Sequence, residues 1–258
     1  MIRNMVSSAL AAGVAAWLLA ALLHFAFVQK FILLAEDYES GAAVHFGGVT
    51  PTAGHDAATA SHDEAAPEAA PAEAETAEAG PEAAEPSAFT RNAWTVVFFS
   101  LVYVAYASLM AAGFGLARTY GREITAREGL LWGLAGFAAF QLAPAMGLAP
   151  NLPGTPGADL GDRQLWWWGA VLATATGLGL LAYGRGAIAV VVALALLAAP
   201  HLIGAPQTDG YAGTAPPEVA SAFAARVLGV SFFAWLLMGW VAGTVWAKVW
   251  ARNADNPA

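Results

Sequence analysis

Apolar residues gather in six stretches along the chain, near 6–27, 93–116, 129–146, 166–183, 187–199 and 227–247, the fifth extending towards 204. Each reaches or approaches the ~20 residues needed to cross a bilayer, and polar or proline-rich connections separate them. The pattern predicts an all-α integral membrane protein, a bundle of about six transmembrane helices. The first stretch follows Arg3 as a signal peptide would. It is too long for a signal core and has no convincing small-residue cleavage site, so it reads as a retained helix.

Composition agrees with that picture. Of 258 residues, 58% are hydrophobic and only 12% charged, with a mean hydropathy of +0.55. A soluble domain carries about a quarter charged residues, so too little polar surface is present to cover a globule in water. The absence of cysteine excludes disulfides, iron–sulfur clusters and thiolate metal sites. The net charge of -8 is uneven: residues 31–90 hold twelve acids and no Lys or Arg, which leaves the rest of the chain at +4. Nucleic-acid binding has no basic patch to rest on.

The acidic segment is low in complexity between Pro51 and Pro86, dominated by Ala, Glu and Pro. Such a composition buries too little apolar surface to offset its ordering entropy, so a disordered, mobile loop is expected. The chain therefore divides into a first transmembrane helix with an outer-face extension (1–38), a flexible acidic loop containing His and Asp (39–91), a five-helix membrane bundle (92–252) and a short cytoplasmic tail (253–258).

Lys and Arg beside the spans set the orientation. With the N-terminus inside, Arg3, Arg118, Arg122, Arg127, Arg185, Lys248 and Arg252 share one side. Lys30, Arg91, Arg163 and Arg226 lie on the other, spread over longer connections. The bias places both termini in the cytoplasm and the acidic loop in the periplasm or outside the cell.

Ionisable groups within spans are costly in lipid unless they are paired or face a cavity. His24 lies near the outer end of the first span, and stepping back along the helix meets Ala20, Ala16, Gly13 and Ala9, a small-residue stripe suited to helix packing. His201 follows Pro200 at the outer end of the fifth span. Glu36 and Glu39, three residues apart beyond the first span, share a helix face if the helix continues. Imidazole with carboxylate is the ligand set of Co, Ni, Zn and Mn. Hydrogen-bonded histidines and a solvated glutamate pair account for the same residues without a metal. His55-Asp56 and His62-Asp63 in the loop offer weaker cation ligands, or are part of a solubilising linker.

Other features serve packing. Gly239 and Gly243 fit the G-x-x-x-G motif, and Trp166-Trp167-Trp168 fits an interfacial aromatic belt. Two proline pairs, Pro144/Pro150 and Pro200/Pro206, end the third and fifth spans alike, an echo that either internal duplication or biased composition explains. No P-loop, H-E-x-x-H, G-x-S-x-G or Rossmann fingerprint appears, so nothing marks an enzyme.

Taken in order, several segments resemble the CbtA family of predicted cobalt transporter subunits along nearly the whole chain. They are Gln29 with Ile32-Leu-Leu-Ala-Glu36-Asp-Tyr-Glu39, Gln141-Leu-Ala-Pro144 through Gly154, Asp162-Arg163-Gln164-Leu-Trp166-Trp167, Pro200-His201-Leu-Ile-Gly204-Ala-Pro206, and Pro217 to Phe223. The resemblance implies a bacterial inner-membrane protein of five or six spans that moves cobalt, the ion being substrate and not a tightly bound cofactor. It also implies a small single-span partner of the CbtB type and a supply of metal for cobalamin synthesis.

On this reading the acidic loop concentrates divalent cations, and His24 and His201 with Glu36 or Glu39 take the partly dehydrated ion. Gln29, Ser100, Tyr103, Met110 and Gln141 then line its path. The alternative is a structural membrane subunit that anchors a partner through its small-residue stripes and transports nothing itself.

Overall fold

The computed structural model describes residues 2–44, 87–210 and 212–255, and among these every regular element is a helix. Helix α1 (Ile2–Leu23) passes through a π turn (His24–Val28) into α2 (Gln29–Glu39), forming one continuous run of 38 residues. Helix α3 covers Ala88–Thr119 and α4 covers Ala126–Phe137. A second π turn (Ala138–Leu142) and the short α5 (Ala143–Ala145) prolong α4. Helices α6 (Leu160–Tyr183), α7 (Gly186–Ile203) and α8 (Pro217–Asp255) complete the bundle.

Five runs are long and apolar enough to cross a bilayer: Ile2–Glu39, Ala88–Thr119, Leu160–Tyr183, Gly186–Ile203 and Pro217–Ala251. The expected third span is helical from Ala126 to Ala145. It carries Glu128, Gln141 and Pro144 and is divided by its π turn, and it is not one of these five. The expected disordered loop, with His55, Asp56, His62 and Asp63, falls outside the described residues.

Local chemistry sets the helix ends. The Ser87 hydroxyl accepts from the Thr90 amide at 3.2 Å to cap α3. Thr125 and Glu128 cap α4 reciprocally, each side chain meeting the other's backbone amide. The Asp159 carboxylate accepts from the amides of Gly161 and Asp162 at the start of α6. At the far end of α7 the chain turns through Gly204, whose φ of +85° suits a residue without Cβ.

Helix α8 forms the spine. It packs extensively against α1 on one side and α4 on the other, while α3 lies along α1. Helices α6 and α7 pair with each other and join the rest chiefly through the second π turn and α5. The α4–α8 contact is a glycine seam. A Cβ on Gly129 would stand 2.8 Å from Gly243 Cα, and one on Gly239 would stand 2.8 Å from Gly133 Cα. The expected Gly239/Gly243 motif thus meets a second G-x-x-x-G, Gly129/Gly133, on α4. Lipid supplies no hydrophobic drive between helices, so close backbone approach of this kind supplies the dispersion contacts that hold them together.

The α1 stripe behaves likewise. Ala9, Ala12, Gly13, Ala16 and Ala20 are all buried, and a Cβ on Gly13 would lie 2.8 Å from Val104 Cα on α3. In four-residue steps the buried face reads Asn4, Ser8, Ala12, Ala16 and Ala20, each fully buried, and the next step is His24.

Candidate functional site

His24 opens the first π turn, in which the Gln29 amide bonds back to the His24 carbonyl. The inserted residue shifts the helix face at this point, a device common at functional positions. The half-buried imidazole packs edge-on against Phe25 and against Phe99 of α3, with centroids 5.5 and 5.1 Å away. An aromatic line continues along α3: Phe99 to Tyr103 at 6.2 Å, Tyr103 to Tyr106 at 6.4 Å, then Tyr106 to Trp235 of α8 at 4.9 Å. The buried Tyr103 hydroxyl meets Ser231 of α8, itself a buried polar side chain. His24, Tyr103 and Ser231 therefore put polar groups along the seam of α1, α3 and α8. Ser8 and Asn4 continue the α1 face towards its other end.

Above His24, the α2 extension is tied to the start of α3. Gln29 Nε2 donates to Asn92 Oδ1 at 2.7 Å, and Arg91 Nη1 donates to Glu36 Oε2 at 2.8 Å. The Arg226 guanidinium lies 4.5 Å from the Phe31 ring centroid. Glu36 thus already has a cationic partner, whereas Glu39, on the same helix face, is exposed.

The residues expected to share a metal do not converge. His201 sits after Pro200 near the end of α7, edge-on to Trp166 at 6.5 Å, while Trp166 Nε1 donates to the Pro200 carbonyl at 3.2 Å. Helix α7 makes no contact with α1, α2 or the turn between them. Among the described residues no three His, Asp or Glu side chains gather as a metal-binding group. Topology alone placed the two histidines at one depth; the packing order puts α8, α4 and α6 between their helices.

The expected path-lining residues scatter too. Tyr103 lies in the α1–α3–α8 seam, and Gln29 is held by Asn92. Ser100 Oγ bonds back to the Val97 carbonyl at 2.7 Å. Gln141 lies in the second π turn, half-buried. Met110 lines a separate cleft of about 790 Å³ bounded by α3, α4, α6 and α8. Arg91, Asn92 and Ser231 are the partners that sequence reasoning missed. The one available signal was Arg91, the single base between the acidic segment and the second span.

The two proline-bounded segments meet at one end of the bundle. Gln207 Nε2 donates to the Gly147 carbonyl at 3.0 Å, and a Cβ on Gly147 would lie 2.8 Å from Ala205 Cβ. Beside them is a small pocket of about 260 Å³ that includes Asn151, Thr155, Arg163 and Thr208.

Long apolar helices joined by glycine and alanine seams define a helical membrane protein. A family model described as "Probable cobalt transporter subunit (CbtA)" matches residues 2–247, and the chain belongs to that family. No curated protein and no solved structure shows a significant match.

Proposed function

We propose that this chain is the membrane subunit through which a cobalt uptake system carries Co²⁺ across the bacterial inner membrane, feeding cobalamin synthesis. Both termini are cytoplasmic, the acidic loop is periplasmic, and a small single-span subunit of the CbtB type works beside it. The capture site is extended: Glu36 and Glu39 take the ion first, and His24, about three helical turns further along the same run, takes it next. The observation that carries this reading is the position of His24: it opens a π turn at the head of a buried polar line that includes Tyr103 and Ser231.

A cation reaching Glu36 competes with Arg91 for the carboxylate and is then passed to the imidazole. Beyond Tyr103 and Ser231 it follows the α1 face past Ser8 and Asn4. The middle of that face is closed by fully buried alanines, so passage requires α1 to move against α8, as in alternating access. His201 belongs to a separate outer position beside Trp166. Nitrogen and oxygen ligands of this kind favour Ni and Cu over Co intrinsically, so selectivity comes from geometry and from metal supply.

The reading as a structural anchor loses its main support. The small-residue stripes that suggested it are consumed within the chain, Ala9–Ala20 against α3 and α8 and Gly239/Gly243 against α4.

The test is cobalt accumulation in cobalt-depleted cells that express the chain with its small partner. Wild type should accumulate metal, and His24→Ala at matched membrane abundance should lose most of it. Undiminished uptake by His24→Ala would remove the capture site. No uptake above empty cells would remove the transport reading.

A further inference from the structure

The 790 Å³ cleft plays no part in that route. Its walls are α3, α4 and α6, with Tyr106, Phe140 and Trp235 at its depth and Arg122 and Glu123 at its mouth. Helices α3 and α6 do not touch, so the gap between them opens sideways into the membrane. The wall residues Leu109 and Leu131 are 59% and 55% exposed.

Two kinds of occupant can be weighed by chemistry. A hydrated divalent cation gains nothing from Leu109, Leu131, Ala135 and Leu178. A lipid chain fits both the shape and the apolar lining.

The mouth selects the headgroup. Arg122 has no carboxylate partner among the described residues, and its guanidinium lies 5.3 Å from the ring of Tyr183, at the end of α6. Glu123 is exposed beside it, while the Glu128 carboxylate is turned to Thr125 as the α4 cap. One guanidinium next to one unengaged carboxylate complements a headgroup that carries both a phosphate and an ammonium. A purely anionic headgroup would gain from Arg122 and be opposed by Glu123 and Glu128. Arg recognises phosphate with directional, charge-assisted hydrogen bonds, and pockets between membrane helices at a basic face are known headgroup sites.

We propose that this cleft binds an aminophospholipid of the leaflet on the Arg122 side. Its phosphate lies on Arg122, its ammonium on Glu123, and one acyl chain runs along Leu109, Leu131 and Leu178. The lipid completes the wall that α3 and α6 leave open and holds the α6–α7 pair against the rest of the bundle.

The experiment uses the full chain, purified in detergent and exchanged into nanodiscs containing equal phosphatidylethanolamine, phosphatidylglycerol and phosphatidylcholine. Lipid retained after stepwise delipidation is quantified by mass spectrometry. Phosphatidylethanolamine should be enriched over both others, and Arg122→Gln should lower its retention about tenfold. Glu123→Gln should shift the preference to phosphatidylglycerol, and Ala135→Trp should exclude lipid by filling the cleft. Both mouth residues are exposed, so their variants keep the fold. Retention unchanged in Arg122→Gln, phosphatidylglycerol held as well as phosphatidylethanolamine by wild type, or a co-purifying polypeptide in the cleft would each overturn the proposal. The readout is lipid, not uptake, so it stands or falls apart from cobalt transport.

Discussion

Arg91 and Glu36 meet at 2.8 Å across a chain separation of 55 residues, joining the end of α2 to the beginning of α3. The two side chains are 40% and 39% exposed, so the pair contributes only ~0.2–1 kcal/mol to stability. Its position matters more than its strength, because the same carboxylate belongs to the proposed capture site.

Arg91→Gln should therefore leave the thermal midpoint nearly unchanged while freeing Glu36 for a cation. The expected result is cobalt uptake half-saturated at lower metal concentration than in wild type, whereas Glu36→Gln shifts it upward. Uptake titrations of both variants, with melting curves on the purified proteins, check the pair. Identical half-saturation in all three would remove Glu36 from the capture site.

Imidazole binds a metal only when neutral. Uptake through His24 should fall as external pH is lowered, and His24→Ala should lower uptake about tenfold or more at neutral pH. A rate constant between pH 5 and 8 would exclude a histidine ligand on the route.

Ser8 separates transport from folding. Its hydroxyl is fully buried and has no hydrogen-bond partner, so Ser8→Ala removes an unsatisfied polar group. It should hold or raise stability, by up to ~1 kcal/mol. If the ion follows the α1 face, the same change should slow uptake. A stable Ser8→Ala protein with full uptake would move the route elsewhere.

The glycine seam makes a stability prediction. Gly239→Leu forces a side chain into the backbone of α4 and should cost ~3 kcal/mol or more, beyond ordinary overpacking. Gly229 lies on the same helix, with nothing within 4 Å of an added Cβ. Gly229→Ala should be neutral or stabilising by ~0.5–1 kcal/mol through helix propensity. Thermal denaturation in detergent distinguishes the two, and equal midpoints would contradict the packing.

Much of the architecture is legible in the residues because bilayer thickness and hydropathy together fix where helices lie. The alanine stripe of α1 and the Gly239/Gly243 pair also announce close packing. What they pack against is not legible: Gly129 and Gly133 lie more than a hundred residues from their partners, and periodicity names a face without naming its neighbour. The histidines show the same limit. Depth in the membrane follows from topology, but His24 and His201 are separated by the lateral order of helices, which no local signal records. The π turns also escape a sequence reading, since one inserted residue changes neither composition nor apolarity. Glu36 read as a free ligand because its partner lies beyond the acidic segment.

The central place of α8 has a bearing on biosynthesis. Helices α1 and α4 leave the ribosome well before the strut that both lean on, and until α8 is inserted the glycine face of α4 and the side of α1 turned away from α3 look into lipid. Packing of α1 and α4 therefore awaits α8, and a nascent chain stopped near residue 216 presents two unmatched sticky surfaces to the insertion and degradation machinery of the membrane.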